Sequence, residues 1–188
     1  MPAFSTLGWF DDPLLNTFVF YPEAELARLV FHELAHQVVY LKGDSAFNES
    51  FATAVEEAGV ERWLATQPDP AIRERYQVFA QRRREFVGLL RRHRAALEAL
   101  YAQDLPAEQR PQAKARAFEA LRQDYAALKL SWGGFSGYDR WFAQPLGNAH
   151  LASVATYHQY VPGFRRLLEE QGGDLRRFYA RAAEVARL

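Results

Sequence analysis

The chain has 188 residues, 23 basic and 23 acidic side chains, a formal net charge of zero, 49% hydrophobic residues and no cysteine. That composition is globular. It excludes a disulfide framework, a zinc ribbon and a cysteine nucleophile, and the balanced charge gives no pull toward nucleic acid or an anionic membrane.

No apolar run reaches the roughly 18 residues of a membrane span. The N-terminus lacks the basic-then-apolar order of a secretory signal. The expectation is a soluble chain, cytoplasmic by default, forming a single domain over residues 1–188.

Residues 1–21 read as extended or irregular. "STLGWFDDP" carries turn signals, with Asp11 and Asp12 serving the turn before Pro13, and "TFVFY" is β-branched and aromatic. A short strand or hairpin is expected within 4–20. Over 22–65, Pro22 opens a helix with Glu23 and Glu25 in its first turn. This helix is expected to reach about Leu41 and to stop near Gly43. Leu26, Leu29, Val30, Phe31, Leu34, Val38, Val39 and Leu41 lie on nearly every side of it, which predicts burial all round. A second helix is expected to begin between Asp44 and Asn48 and to end near Ala65.

Over 70–130, apolar residues recur at 72, 76, 79, 86, 90, 97 and 100, in steps of three, four or their sums. "QDLPAEQRP" interrupts the run, and Phe118, Leu121, Tyr125 and Leu128 resume it. Two long helices joined by a short polar loop predict an antiparallel hairpin. Over 131–188, "SWGGFSGYDRWF" predicts an ordered aromatic loop. Short helices follow, with "EEQGGDL" as a glycine stop and an aspartate cap.

His32-Glu33-x-x-His36 places two imidazoles at i and i+4, on one helix face. Two such rings can bind one zinc ion at about 2.0–2.1 Å. Glu33 lies beside them, where it can take a proton from the water the metal activates. Burying these groups without partners costs several kcal/mol, and a metal supplies partners to both rings. The third ligand is open among Asp44, Glu49, Glu56, Glu57, His150 and His158. A second helix folded back antiparallel brings both Glu49 and Glu56 within about two turns of the histidine level. Glu49, Thr53 and Glu56 share one face, and rise alone does not separate the two glutamates.

"NESFATAVE" resembles the Asn-Glu-x-x-Ala signature of gluzincin metallopeptidases, in which the Glu is the third zinc ligand. The resemblance makes Glu49 the ligand beside His32 and His36. It makes Asn48 a support residue and places Thr53 one turn on for a hydrogen bond to a ligating histidine. Only twelve residues separate His36 from Glu49, so the connection must be compact. Glu56 stands behind these ligands or anchors a substrate amine, and Glu57 is left to solvent.

Through "STLGWFDDPLLNTF", "FHELAHQVVYLKGDSAFNESFATAVEEAG", "NAHLASVATYHQYVPGF" and "GGDLRRFY", the chain resembles the bacterial putative aminopeptidase family over almost its whole length. The implied fold is mainly α: a zincin-like helix–loop–helix metal site, a long helical hairpin and at most a short N-terminal strand. The implied function is hydrolysis of a peptide substrate with one zinc ion per chain, Glu33 as base, and Tyr157 or His158 stabilising the oxyanion, with Tyr157 preferred. Asn148 and His150 are candidates to line the cleft, or to cap a helix. Family members often carry a lipoprotein-type N-terminal signal. The competing readings are a non-catalytic zinc-binding or protein-interaction module whose working surface is the hairpin, and an inactive fragment of a longer peptidase.

Overall fold

The computed structural model describes residues 20–187, the side chains of 153–157 excepted. Among them are eight helices and no strand: α1 Glu23–Val38, α2 Ser45–Ala65, α3 Pro70–Tyr101, α4 Arg110–Ser131, α5 Asp139–Phe142, α6 Asn148–His158, α7 Val161–Glu170 and α8 Leu175–Val185. The mainly helical expectation holds. The strand or hairpin expected at 4–20 lies outside the described residues, as do Asp11 and Asp12. The backbone groups into two compact units, one from the described residues of 1–77 and 156–188, the other from 78–155.

In the first unit, α1 opens on Pro22, whose carbonyl accepts from the backbone N–H groups of Glu25 and Leu26. The helix ends at Val38, three residues before the expected Leu41. Val39 is already extended, at φ −137° and ψ 124°. The reason lies in Asn48, whose side chain takes both backbone groups of Leu41. Its Oδ1 accepts from the Leu41 N–H at 2.7 Å and its Nδ2 donates to the Leu41 carbonyl at 2.8 Å. Those groups are therefore satisfied outside the helix. Gly43 then turns the chain at φ +89°, a region that costs glycine nothing. Asp44 caps α2 by accepting from the Phe47 N–H at 2.8 Å.

α2 is the central helix of this unit. It buries Phe47, Phe51, Ala52, Ala54, Val55, Val60 and Leu64 around its circumference. Gly59 lets α1 approach closely: a Cβ there would stand 2.7 Å from the Phe31 ring. On another face, Phe51 stacks on Phe178 of α8 at 5.5 Å, and Phe47 meets Phe164 of α7 edge-on at 5.1 Å. Glu57 keeps the solvent exposure expected of it and there also accepts two hydrogen bonds from Arg165 of α7, at 2.7 and 2.8 Å. The two residues are far apart in sequence, so no local pattern announced the pair.

The expected all-round burial of α1 is corrected. Val30, Leu34 and Val38, spaced i, i+4, i+8, are exposed. The helix buries Ala24, Ala35 and His36 instead. Apolar character allowed burial on every side, but α2 covers only one stripe.

The second unit is built on α3 and α4. Glu85 and Arg82 bond to Trp132, and His93 bonds to Asp124. The rising residue numbers on one helix meet falling numbers on the other, so the pair is antiparallel, as expected. Phe86, Leu89, Leu90, Leu97, Phe118, Leu121 and Tyr125 form its core with Leu151. Gly133 and Gly134 end α4 at φ +68° and +85°. The aromatic loop then folds back, with Tyr138 stacked on Phe86 and Phe142 on Tyr125, each at 3.9 Å. Asp139 ties it down by accepting from the Tyr125 hydroxyl and from Lys129, both at 2.6 Å.

Candidate metal centre

Among the described residues, the candidate ligand group is made by α1 and α2. The two helices run antiparallel: Phe31 lies against Gly59, Arg28 and His32 against Glu56, His36 against Glu49, and Leu41 against Asn48. His32 and His36, one turn apart on α1, meet edge-on at 5.0 Å with ring planes at 84°.

The Nε2 of His32 lies 3.2 Å from Glu49 Oε2, and the Nε2 of His36 lies 3.9 Å from Glu49 Oε1. One ligand atom from each of His32, His36 and Glu49 falls within 4.8 Å of the others, the group among the described residues that could hold a metal ion. A tetrahedral ion with bonds of about 2.0–2.1 Å separates its donors by roughly 3.3–3.5 Å. The two histidine–Glu49 separations, 3.2 and 3.9 Å to different carboxylate oxygens, lie on either side of that spacing. Two imidazole nitrogens and one carboxylate oxygen suit zinc by donor type as well. The residues present fit the ion.

Glu56 occupies a different place from Glu49. It is fully buried, and its Oε2 lies 2.9 Å from His32 Nδ1 and accepts from Arg28 Nη1 at 3.0 Å. His32 is therefore held through both nitrogens, by Glu56 on one side and Glu49 on the other. Burial works to lower its pKa, but the hydrogen bonds to Glu49 and then Glu56 outweigh it and carry it up to about 9. His36 goes the other way. Burial, and then the neighbouring His32 charge, lower its pKa. Its Nδ1 is buried with no hydrogen-bond partner among the described atoms.

Of the remaining residues, Glu33 sits beside His32 on α1, half-buried. Asn48 is buried and acts on the connection rather than on a ligand, as the Leu41 clamp. Thr53 is buried on α2, while the Nδ1 of His32 goes to Glu56. Asp44 is engaged as the α2 cap. Asn148 and His150 belong to the second unit: Asn148 accepts from the Tyr101 hydroxyl at 3.0 Å, and His150 Nδ1 accepts from the Gly147 N–H at 3.1 Å. The second is a cap at the start of α6. His158 is half-buried at the end of α6. The side chain of Tyr157 lies outside the described part.

Arg28 is the residue that sequence reading missed. A signal was present: Arg28 precedes His32 by four residues and so shares its face of α1.

A family model described as "Putative aminopeptidase" matches residues 1–188. The chain belongs to that family. No curated protein and no solved structure matches it.

Proposed function

We propose that this member of the putative aminopeptidase family is a zinc-dependent peptidase of gluzincin type, acting on peptides in an aminopeptidase-like way. The carrying observation is the convergence of His32, His36 and Glu49 to within one ion's reach, with Glu33 next to His32 on the same helix.

His32, His36 and Glu49 would hold the ion, one per chain. A bound zinc supplies Lewis-acid chemistry, acidifying a water toward a pKa of about 7 and polarising the scissile carbonyl. Glu33 takes the water's proton as the oxygen attacks the carbonyl carbon, then returns it to the leaving amine. The nitrogen thus departs neutral, and the carboxylate is regenerated. Tyr157 is the proposed hydroxyl donor to the developing oxyanion. Glu56 keeps His32 oriented, and Asn48 sets the short turn that brings Glu49 under the two rings.

The test is metal analysis combined with digestion of a broad peptide panel, on wild type and Glu33→Gln. One zinc per chain in both proteins, with cleavage only by wild type, is the expected result. Zinc uptake without cleavage of any peptide leaves a metal-binding module and removes the enzyme reading. No zinc uptake at neutral pH removes the metal.

A further inference from the structure

Arg28 has no part in the hydrolysis proposed above. Yet its side chain is mostly buried, with 19% exposure, an unfavourable place for a guanidinium unless it is paired. Its Nη1 donates to Glu56 Oε2 at 3.0 Å, and the same oxygen lies 2.9 Å from His32 Nδ1. Arg28 and His32 stand one turn apart on α1, and Glu56 reaches both from α2. The three side chains form a closed brace across the two helices.

Resting on the metal reading above, we infer that Arg28 is a positioning residue: it holds the Glu56 carboxylate so that His32 donates through Nδ1 and presents Nε2 to the ion. The reason is geometric. An imidazole has two nitrogens, and the one that ligates is set by the hydrogen bond the other makes. That bond holds its direction only if the acceptor is itself held. The terminal torsion of a glutamate is broad, and each further partner narrows it. A buried carboxylate is costly without a neighbouring cation, and Arg28 is a cation on Glu56 Oε2.

The experiment is zinc affinity by chelator competition, together with the ¹⁵N NMR pattern of the His32 ring in the zinc-loaded protein. It uses wild type, Arg28→Met and Arg28→Lys. In wild type the His32 Nε2 ligates, and the Nδ1 proton is protected from exchange. Arg28→Met is expected to weaken zinc binding by about tenfold, the lower end for loss of an outer partner, and to broaden or split the His32 signal. Arg28→Lys keeps a cation within reach of Oε2 and should recover affinity to within a few-fold, with a single His32 signal. Wild-type affinity and an unchanged His32 signal in Arg28→Met overturn the inference, even if its melting temperature falls, because Arg28 is then only a structural ion pair. Should Arg28→Met fail to fold, the wild-type ring pattern decides: ligation through Nε2 with a protected Nδ1 proton supports the brace, and ligation through Nδ1 overturns it. Absence of zinc uptake by wild type is a separate result, which removes the metal reading and this inference with it.

Discussion

At the scale of single residues, the polar groups of α1 and α2 divide by which histidine nitrogen they face. Glu49 faces the Nε2 atoms of both rings, and Glu56 lies within hydrogen-bonding distance of the Nδ1 of His32. Glu49→Ala removes a proposed ligand and is expected to cost more zinc affinity than the roughly 10–100-fold that follows loss of an outer partner; chelator competition measures it. Glu33→Gln keeps the shape of the side chain and the zinc, but loses the base. Turnover should fall by about 10²–10⁴-fold at unchanged metal content, read by peptide hydrolysis alongside metal analysis.

Two elements govern the geometry between helices. One is the Phe31–Gly59 contact, where a methyl group has no room at 2.7 Å from the ring. Glycine lowers the helix-forming tendency of α2 by roughly 0.5–1 kcal/mol relative to alanine, so a surface position would gain from Gly59→Ala. Here the substitution is expected to destabilise by about 1–3 kcal/mol through overpacking, as urea unfolding would show. Zinc affinity should fall with it, since α1 must move off α2. The other element is the Leu41–Asn48 clamp. Asn48→Ala leaves a backbone donor and acceptor of Leu41 to find other partners, at a cost of about 1–3 kcal/mol. The same denaturation experiment measures it.

At the scale of the whole molecule, the two units are held by different means. The first packs three helices around α2. The second closes an aromatic loop over the α3–α4 pair, with Asp139 as its polar tie. Lys129, and then the Tyr125 hydroxyl, hold the Asp139 carboxyl below its ordinary range. A carboxyl held low in the folded state contributes stability above its unfolded pKa and loses it as pH falls through the folded value. Asp139→Asn should therefore lower the melting temperature at pH 7. The gap to wild type should close toward pH 3, where the wild-type carboxyl also begins to take up a proton. An equal gap at both pH values would contradict this assignment.

Much of this architecture was legible along the chain. The three-and-four spacing located α3 and α4, and the glycine pair with Asp174 marked the break before α8, where Asp174 accepts from the N–H groups of Arg176 and Arg177. Other features were not. The same apolar pattern on α1 is compatible with burial on any side, and it did not reveal that Val30, Leu34 and Val38 stay exposed. The Glu57–Arg165 pair joins residues 108 positions apart, beyond any local period.

The sequence by itself determined that His32 and His36 share a helix face, because 3.6 residues per turn fix that angle whatever surrounds the helix. It also determined that Glu49, Thr53 and Glu56 share a face of α2. What it left tied was which glutamate stands under the rings, and resemblance rather than geometry favoured Glu49. Only the tertiary structure set Glu49 opposite both Nε2 atoms and Glu56 behind His32 with Arg28. That choice depends on the offset and rotation of α2 against α1. These are set by the turn that Asn48 pins and by the close approach that Gly59 permits, and both are contacts between segments, outside the reach of either helix's own periodicity.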